Sequence, residues 1–202
     1  MERIARWPYK VCGAVLPVLP DSGRTARQLE ESGKQVLLHL PMEPRNARMR
    51  PGPGVVLRSQ SEEEIARTLE RDLDSVPGAA GVSNHMGSAA TADARVMRAV
   101  ARELARRGLF FLDSRTTGAT VAGEVAREER VPSVSRRVFL DDVATEVEVS
   151  KALEELIARA RAEGSAVGLG HPYAATLSVL ERELPGLEVR GVKLVPVVDL
   201  AR

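Results

Sequence analysis

The chain has 202 residues, 44% of them hydrophobic, and sets 29 basic side chains against 28 acidic ones for a net charge of +1. That length supports one sizeable core, since domains run to ~100–200 residues, and so even a balance removes any whole-chain argument for a nucleic-acid or other polyanion partner. Aromatics at 3% make single-strand stacking platforms an unpromising reading, and a single cysteine, Cys12, excludes an intramolecular disulfide and a thiolate zinc cluster.

Arg3, Arg6 and Lys10 precede an apolar run over 11–19. Pro17 and Pro20 interrupt it and no small-x-small cleavage site follows, so it reads as a buried strand rather than a secretory signal. No apolar stretch reaches the ~18 residues that a transmembrane helix needs. Short apolar runs recur at 11–16, 35–40, 80–83, 109–112, 137–140, 166–169 and 192–198, and each has the length and Val/Leu/Phe content of a buried strand. Helical patterns lie between them. Ser61 and Glu64 form a capping box ahead of Ile65 and Leu69. Val96, Val100 and Leu104 recur within 91–107, and Val149, Leu153, Leu156 and Ile157 within 145–162. Gly33, Gly108, Gly164 and Gly186 stand where helices are expected to stop. This alternation predicts parallel strands joined by crossover helices in one domain, residues 1–202, as a barrel or a doubly wound sheet.

The segment 41–60 breaks the pattern. It holds Pro41, Pro44, Pro51 and Pro53 with Arg45, Arg48, Arg50 and Arg58. A loop of this length is either a solvated excursion or a functional flap, and its basic character suits an anionic or polar polymer.

The three histidines share one structural position. His39 and His171 end strands, and His85 directly follows one. Asp113 and the pair Asp141–Asp142 end two further strands. Parallel α/β folds gather these carboxyl ends on one face and build their sites there. Imidazoles with a carboxylate suit a zinc-like ion with an open position for water, and a further histidine suits a general acid. Two rival chemistries are weaker. Ser114 or Ser88 would need a G-x-S-x-G elbow that the chain lacks, and Asp113 with Asp141 or Asp142 as a glycosidase pair is a common coincidence.

Five ordered motifs then carry a resemblance. His39-Leu40-Pro41-Met42-Glu43-Pro44, Asn84-His85-Met86-Gly87-Ser88, Phe111-Leu112-Asp113-Ser114, Val138-Phe139-Leu140-Asp141-Asp142 and Gly170-His171-Pro172 resemble, in order and spacing, the divergent polysaccharide deacetylase family. That family is a distant relative of the NodB-type carbohydrate deacetylases. The resemblance implies an irregular (β/α) barrel of about seven strands. It also implies a hydrolase that uses a divalent metal, typically Zn²⁺, to remove acetyl groups from a polysaccharide or glycan of the bacterial periplasm or envelope. Carried over, it makes His39 and His85 metal ligands and His171 the general acid. Asp113 and Asp142 would orient His171, while Asn84, Ser88, Ser114 and Asp141 would neighbour the substrate. One departure stands out, because family members open with a strand ending in Asp-Asp and residues 1–9 here contain no Asp. The resemblance therefore leaves two expectations: an upstream strand outside this sequence, or an incomplete metal site with residues 1–10 packed in the vacancy. The second would suit a glycan-binding or regulatory module without turnover.

Overall fold

The computed structural model describes residues 2–202. In chain order the elements are α1 (Glu2–Ala5), β1 (Cys12–Val15), α2 (Ser22–Glu31), β2 (Gln35–Met42), α3 (Glu62–Asp74), β3 (Ala79–Met86), α4 (Ala94–Arg107), β4 (Phe110–Asp113), α5 (Ala122–Glu128), β5 (Ser133–Ser135), β6 (Val138–Phe139), α6 (Glu146–Glu163), β7 (Gly168–Leu169) and α7 (Ala174–Glu183). Strands β1 to β5 form one parallel sheet in sequence order, and β6 pairs with β7, also in parallel, as a separate two-stranded sheet. The structure shows an α/β arrangement with a five-stranded parallel sheet, and among the described residues no closed sheet of the expected barrel is formed.

Local chemistry explains the helices that the sequence marks. Ser61 caps α3 by accepting from the Glu64 amide, while the Glu64 carboxylate accepts from the Ser61 amide. Asp93 caps α4 through the amides of Arg95 and Val96, and Gly108 ends it at φ 67°. Thr145 opens α6 and Gly164 closes it at φ 82°. The apolar stripes of α3 and α4 pack on one face of the sheet, where Ile65, Leu69, Val96, Val100 and Leu104 are fully buried against Val36, Leu38, Leu40 and Val82. The opposite face carries Leu37, Phe110 and Leu112. Trp7 joins Val149, Leu153 and Ile157 of α6 and Leu177 and Val179 of α7 in a separate cluster.

Two expectations are corrected. The run 192–198 is not a strand: Val192 and Leu194 pack on the α6–α7 cluster, and a short 3₁₀ turn, Val197–Leu200, follows Pro196. The fifth strand in chain order is instead Ser133–Ser135, paired with β4. Residues 2–10 add no strand. They form α1 and a turn, with Trp7 buried and its carbonyl accepting from the buried Lys34 ammonium.

Among the described residues, β1 pairs only with β2, and β7 only with β6. A cavity of about 970 Å³ lies between them, at the upper end of the ~300–1,000 Å³ of ligand pockets. From β2 only Leu37 and His39 line it, and from β4 Leu112 with Ser114 just beyond, every second residue as expected of a sheet face. Consecutive residues come from the end of β3, Ser83 to Met86, from β1, Cys12 to Ala14, and from the run 167–170 around β7.

Candidate active site

The register decides which side chains meet. His39 lies opposite Ser83, Leu40 opposite Asn84 and Pro41 opposite His85. Paired residues of parallel strands share a face, so His39, Ser83 and His85 lie on the cavity side. His39 Nδ1 is 2.9 Å from Ser83 Oγ, and its Nε2 is 3.2 Å from His85 Nδ1, with the rings edge to face. Burial, reinforced by the neighbouring His85 and His171, pushes the His39 pKa down to about 3. Burial, then His171, also lowers that of His85. Both rings are therefore neutral at physiological pH, the form that binds metals.

His171 reaches the same cavity from the loop after β7. Its Nδ1 is 3.0 Å from Asp141 Oδ1, and its amide donates to Asp141 Oδ2 at 2.6 Å. Asp141 is buried and also accepts from Thr176 Oγ1 at 2.7 Å. Gly170 leaves room for this carboxylate, since a Cβ there would lie 3.2 Å from Asp141 Oδ2. Phe139 and Tyr173 flank the His171 ring at 5.4 and 5.0 Å between centroids.

The structure does not bring every expected site residue to this cluster. Asp142 is exposed and acts electrostatically on Arg136, so the carboxylate bonded to His171 is Asp141. Asp113 shares the register face of Phe111, not that of Leu112. Its buried carboxylate accepts from the Arg115 amide and Thr120 Oγ1. The alternation that turns His39 toward the cavity thus turns Asp113 away. Asn84 and Ser114 tie two strand ends together: Asn84 Oδ1 accepts from the Ser114 amide, and Ser114 Oγ donates to the Asn84 carbonyl, both at 2.8 Å. Ser88 Oγ accepts from the Arg45 amide at 3.0 Å and fixes the basic loop. Asn84, Ser88 and Ser114 all line the cavity with the histidines.

Sequence reasoning misses three residues. Ser83 carries no motif, and only the register places it under His39. Thr176 lies in the first turn of α7, a helix without a marked start in the sequence. Arg136 stacks on Phe139 and donates to the carbonyls of Ser114 and Arg115; burial lowers its pKa.

The donor set can be tested against a metal. His39 Nε2 and His85 Nδ1 lie 3.2 Å apart, within hydrogen-bond distance of each other, so an ion held by both would take the place of that contact. No group of three or more His, Cys, Asp or Glu side chains among the described residues is placed to hold an ion.

A family model described as divergent polysaccharide deacetylase matches residues 1–201. An uncharacterized protein of Haemophilus influenzae Rd is 35% identical over 195 residues, covering 96% of this chain and 69% of that protein. The uncharacterized protein YibQ of Escherichia coli K12 is 37% identical over 182 residues, covering 90% of this chain. This chain spans only 56% of the length of YibQ. The crystal structure of the uncharacterized protein ATU2773 from Agrobacterium tumefaciens C58 superposes with a TM-score of 0.94 at 24% identity, over 98% of this chain and 82% of that one, which shows a shared fold.

Proposed function

Because the chain belongs to the divergent polysaccharide deacetylase family, we propose that it acts as a metal-dependent hydrolase that removes acetyl groups from a polysaccharide or envelope glycan at the histidine rim. The observation that carries this reading is the convergence of His39, His85 and His171 on one cavity, with His171 bonded to a buried carboxylate. His39 Nε2 and His85 Nδ1 would hold a zinc-like ion, with Ser83 fixing the His39 ring from behind. When bound, such an ion polarises a carbonyl oxygen and lowers the pKa of a coordinated water.

The remaining roles belong to this chain's own groups. Asp141 accepts from His171 Nδ1 and fixes the orientation of the ring, leaving Nε2 as the nitrogen that would give a proton to the departing sugar amine or hydroxyl. Thr176 and the His171 amide share the load on Asp141, so the carboxylate keeps its orientation as the proton moves. Asn84 and Ser114 hold the ends of β3 and β4 in register beside the histidines.

A second reading is favoured by the two-ligand donor set: a module that holds a glycan without turnover. Elemental analysis together with acetate release from an N-acetylated oligosaccharide separates the two. About one zinc-like ion per chain, lost in His39→Ala together with acetate release, supports the hydrolase. Glycan binding that survives chelation, with no acetate released, supports the binding module.

A further inference from the structure

The basic loop is positioned over the site. Its Pro44 and Met49 line the cavity with His39 and His85, and the Arg45 amide bonds Ser88 Oγ on the turn after His85. Arg45, Arg48 and Arg50 are all exposed, and among the described residues none has a carboxylate within ion-pair distance. The acid of the same segment, Glu43, is already taken. Its carboxylate accepts from the Arg58 amide at 2.6 Å and from the Arg58 guanidinium at 3.0 Å, which holds it below the usual carboxylate range.

A fourth guanidinium comes from the loop after β4. Arg115 adopts a left-handed backbone at φ 48°, unfavourable for a side chain of its size. Its amide donates to Asp113, its carbonyl accepts from Arg136, and the neighbouring Thr116 hydroxyl donates to the Met86 carbonyl. These bonds fix the backbone of the exposed Arg115 between Ser114 and Thr116, both of which line the cavity. The carboxylates nearby do not cancel this charge. Asp113 and Asp141 are buried and fully bonded, and Asp142 faces Arg136. None of the four arginines lines the cavity itself, but Arg45 follows Pro44, Arg48 and Arg50 bracket Met49, and Arg115 stands between Ser114 and Thr116, all of which do line it; unpaired positive charge beside a site draws in an anionic ligand.

We infer that the glycan taken by this site is acidic, a polymer bearing carboxylate or phosphate groups on the sugars that flank the reacting one, with those anions held by Arg45, Arg48, Arg50 and Arg115. This inference rests on the glycan reading above. The exposed ring of Tyr173, beside His171, supplies an apolar face for one sugar. A single-stranded nucleic acid fits less well, because it needs several aromatic rings for successive bases and Tyr173 is the one exposed aromatic among the described residues.

The test is binding of three probes to the whole chain: an oligogalacturonate for carboxylate, an oligomer of glycerol phosphate for phosphate, and a neutral N-acetylchito-oligosaccharide. Each is measured by calorimetry at low and high salt, on the native chain and on the triple variant Arg45→Gln, Arg48→Gln, Arg50→Gln. Circular dichroism checks that the variant is folded. The expected result is that one or both acidic probes bind at least tenfold more tightly than the neutral one. That margin should shrink in high salt and fall at least severalfold in the triple variant, where Arg115 alone of the four remains, while neutral binding is unchanged. The stronger acidic probe identifies the anion. Equal affinity for neutral and acidic glycans, or a triple variant that binds as the native chain does, overturns the inference and leaves the glycan reading intact. Absence of binding to any of the three overturns both. Oligothymidylate, measured alongside them as a polyanion control, also overturns the inference if it binds as tightly as the acidic glycans, since the patch would then be a general polyanion surface.

Discussion

Asp141 and Asp72 are both buried aspartates, and they illustrate opposite uses of a carboxylate. Asp141 meets His171 twice and Thr176 once. In Asp141→Asn the amide can still accept from the His171 backbone, but it offers the ring nitrogen a neutral partner in place of a carboxylate. The expected outcome is a drop in turnover of about 10²–10⁴-fold, with KM nearly unchanged and the alkaline limb of the pH profile, which reports the general acid, displaced. An unchanged pH profile would remove His171 from acid catalysis. Asp72 lies on α3 beneath Gly54 of the basic loop, where a Cβ would come within 2.4 Å of its carboxylate. Its Oδ2 finds no hydrogen-bond partner among the described residues. Burial raises its pKa to about 6 from 3.8, against the weaker pull of Arg71. The folded state therefore holds this proton over a range where the unfolded chain releases it. Stability contributed by the protonated form is present below pH 3.8 and is lost as pH rises through about 6. Asp72→Asn should remove that slope and raise Tm at pH 7.5 by roughly 2–6 °C. Thermal melts at pH 4, 6 and 7.5 check it, and parallel curves for the two proteins would count against it.

The elements show how far sequence reasoning reaches. The rule that parallel strands end on one face brings His39, His85 and His171 to one cavity from their positions alone. What escapes is whatever depends on register. Asp113 also ends a strand, yet the pairing of Leu112 with Ser83 assigns it to the opposite face. Strong caps make α3, α4 and α6 legible, whereas α2, α5 and α7 have no side-chain cap bond and show too short an apolar stripe to announce themselves. Strand β5 is three half-buried residues with a single apolar side chain, and it exists because β4 offers a partner. The run 192–198 has a strand's composition, but Val192 and Leu194 gain more by covering the α6–α7 cluster. Packing also sets the cost of truncation. Leu69 on α3 is fully buried away from the cavity, so Leu69→Ala should cost about 3–4 kcal/mol. Leu156 on α6 already borders the cavity and lacks neighbours on one side, so Leu156→Ala should cost about 1–2 kcal/mol. Urea unfolding of the two variants measures the difference, and equal losses would mean that the cavity wall is as tightly packed as the core.

At the scale of the whole molecule, two strand edges face each other across a large apolar space. Hydrophobic packing on the outer face of the sheet is dense, but the inner face and the α6–α7 cluster border the cavity, so the two halves of the structure should differ in cooperativity. Hydrogen exchange should find β2, β3 and α4 the slowest, and β6, β7 and α7 opening at lower free energy. Uniform protection across both sheets would show that the cavity does not divide the fold. The same space governs the response to compression. Imperfectly filled volume in the folded state is surrendered when the chain unfolds, so the transition shrinks the system and high pressure drives it forward. This protein should therefore denature at a markedly lower hydrostatic pressure than a fully packed α/β chain of equal thermal stability, and any ligand that fills the space should restore its resistance.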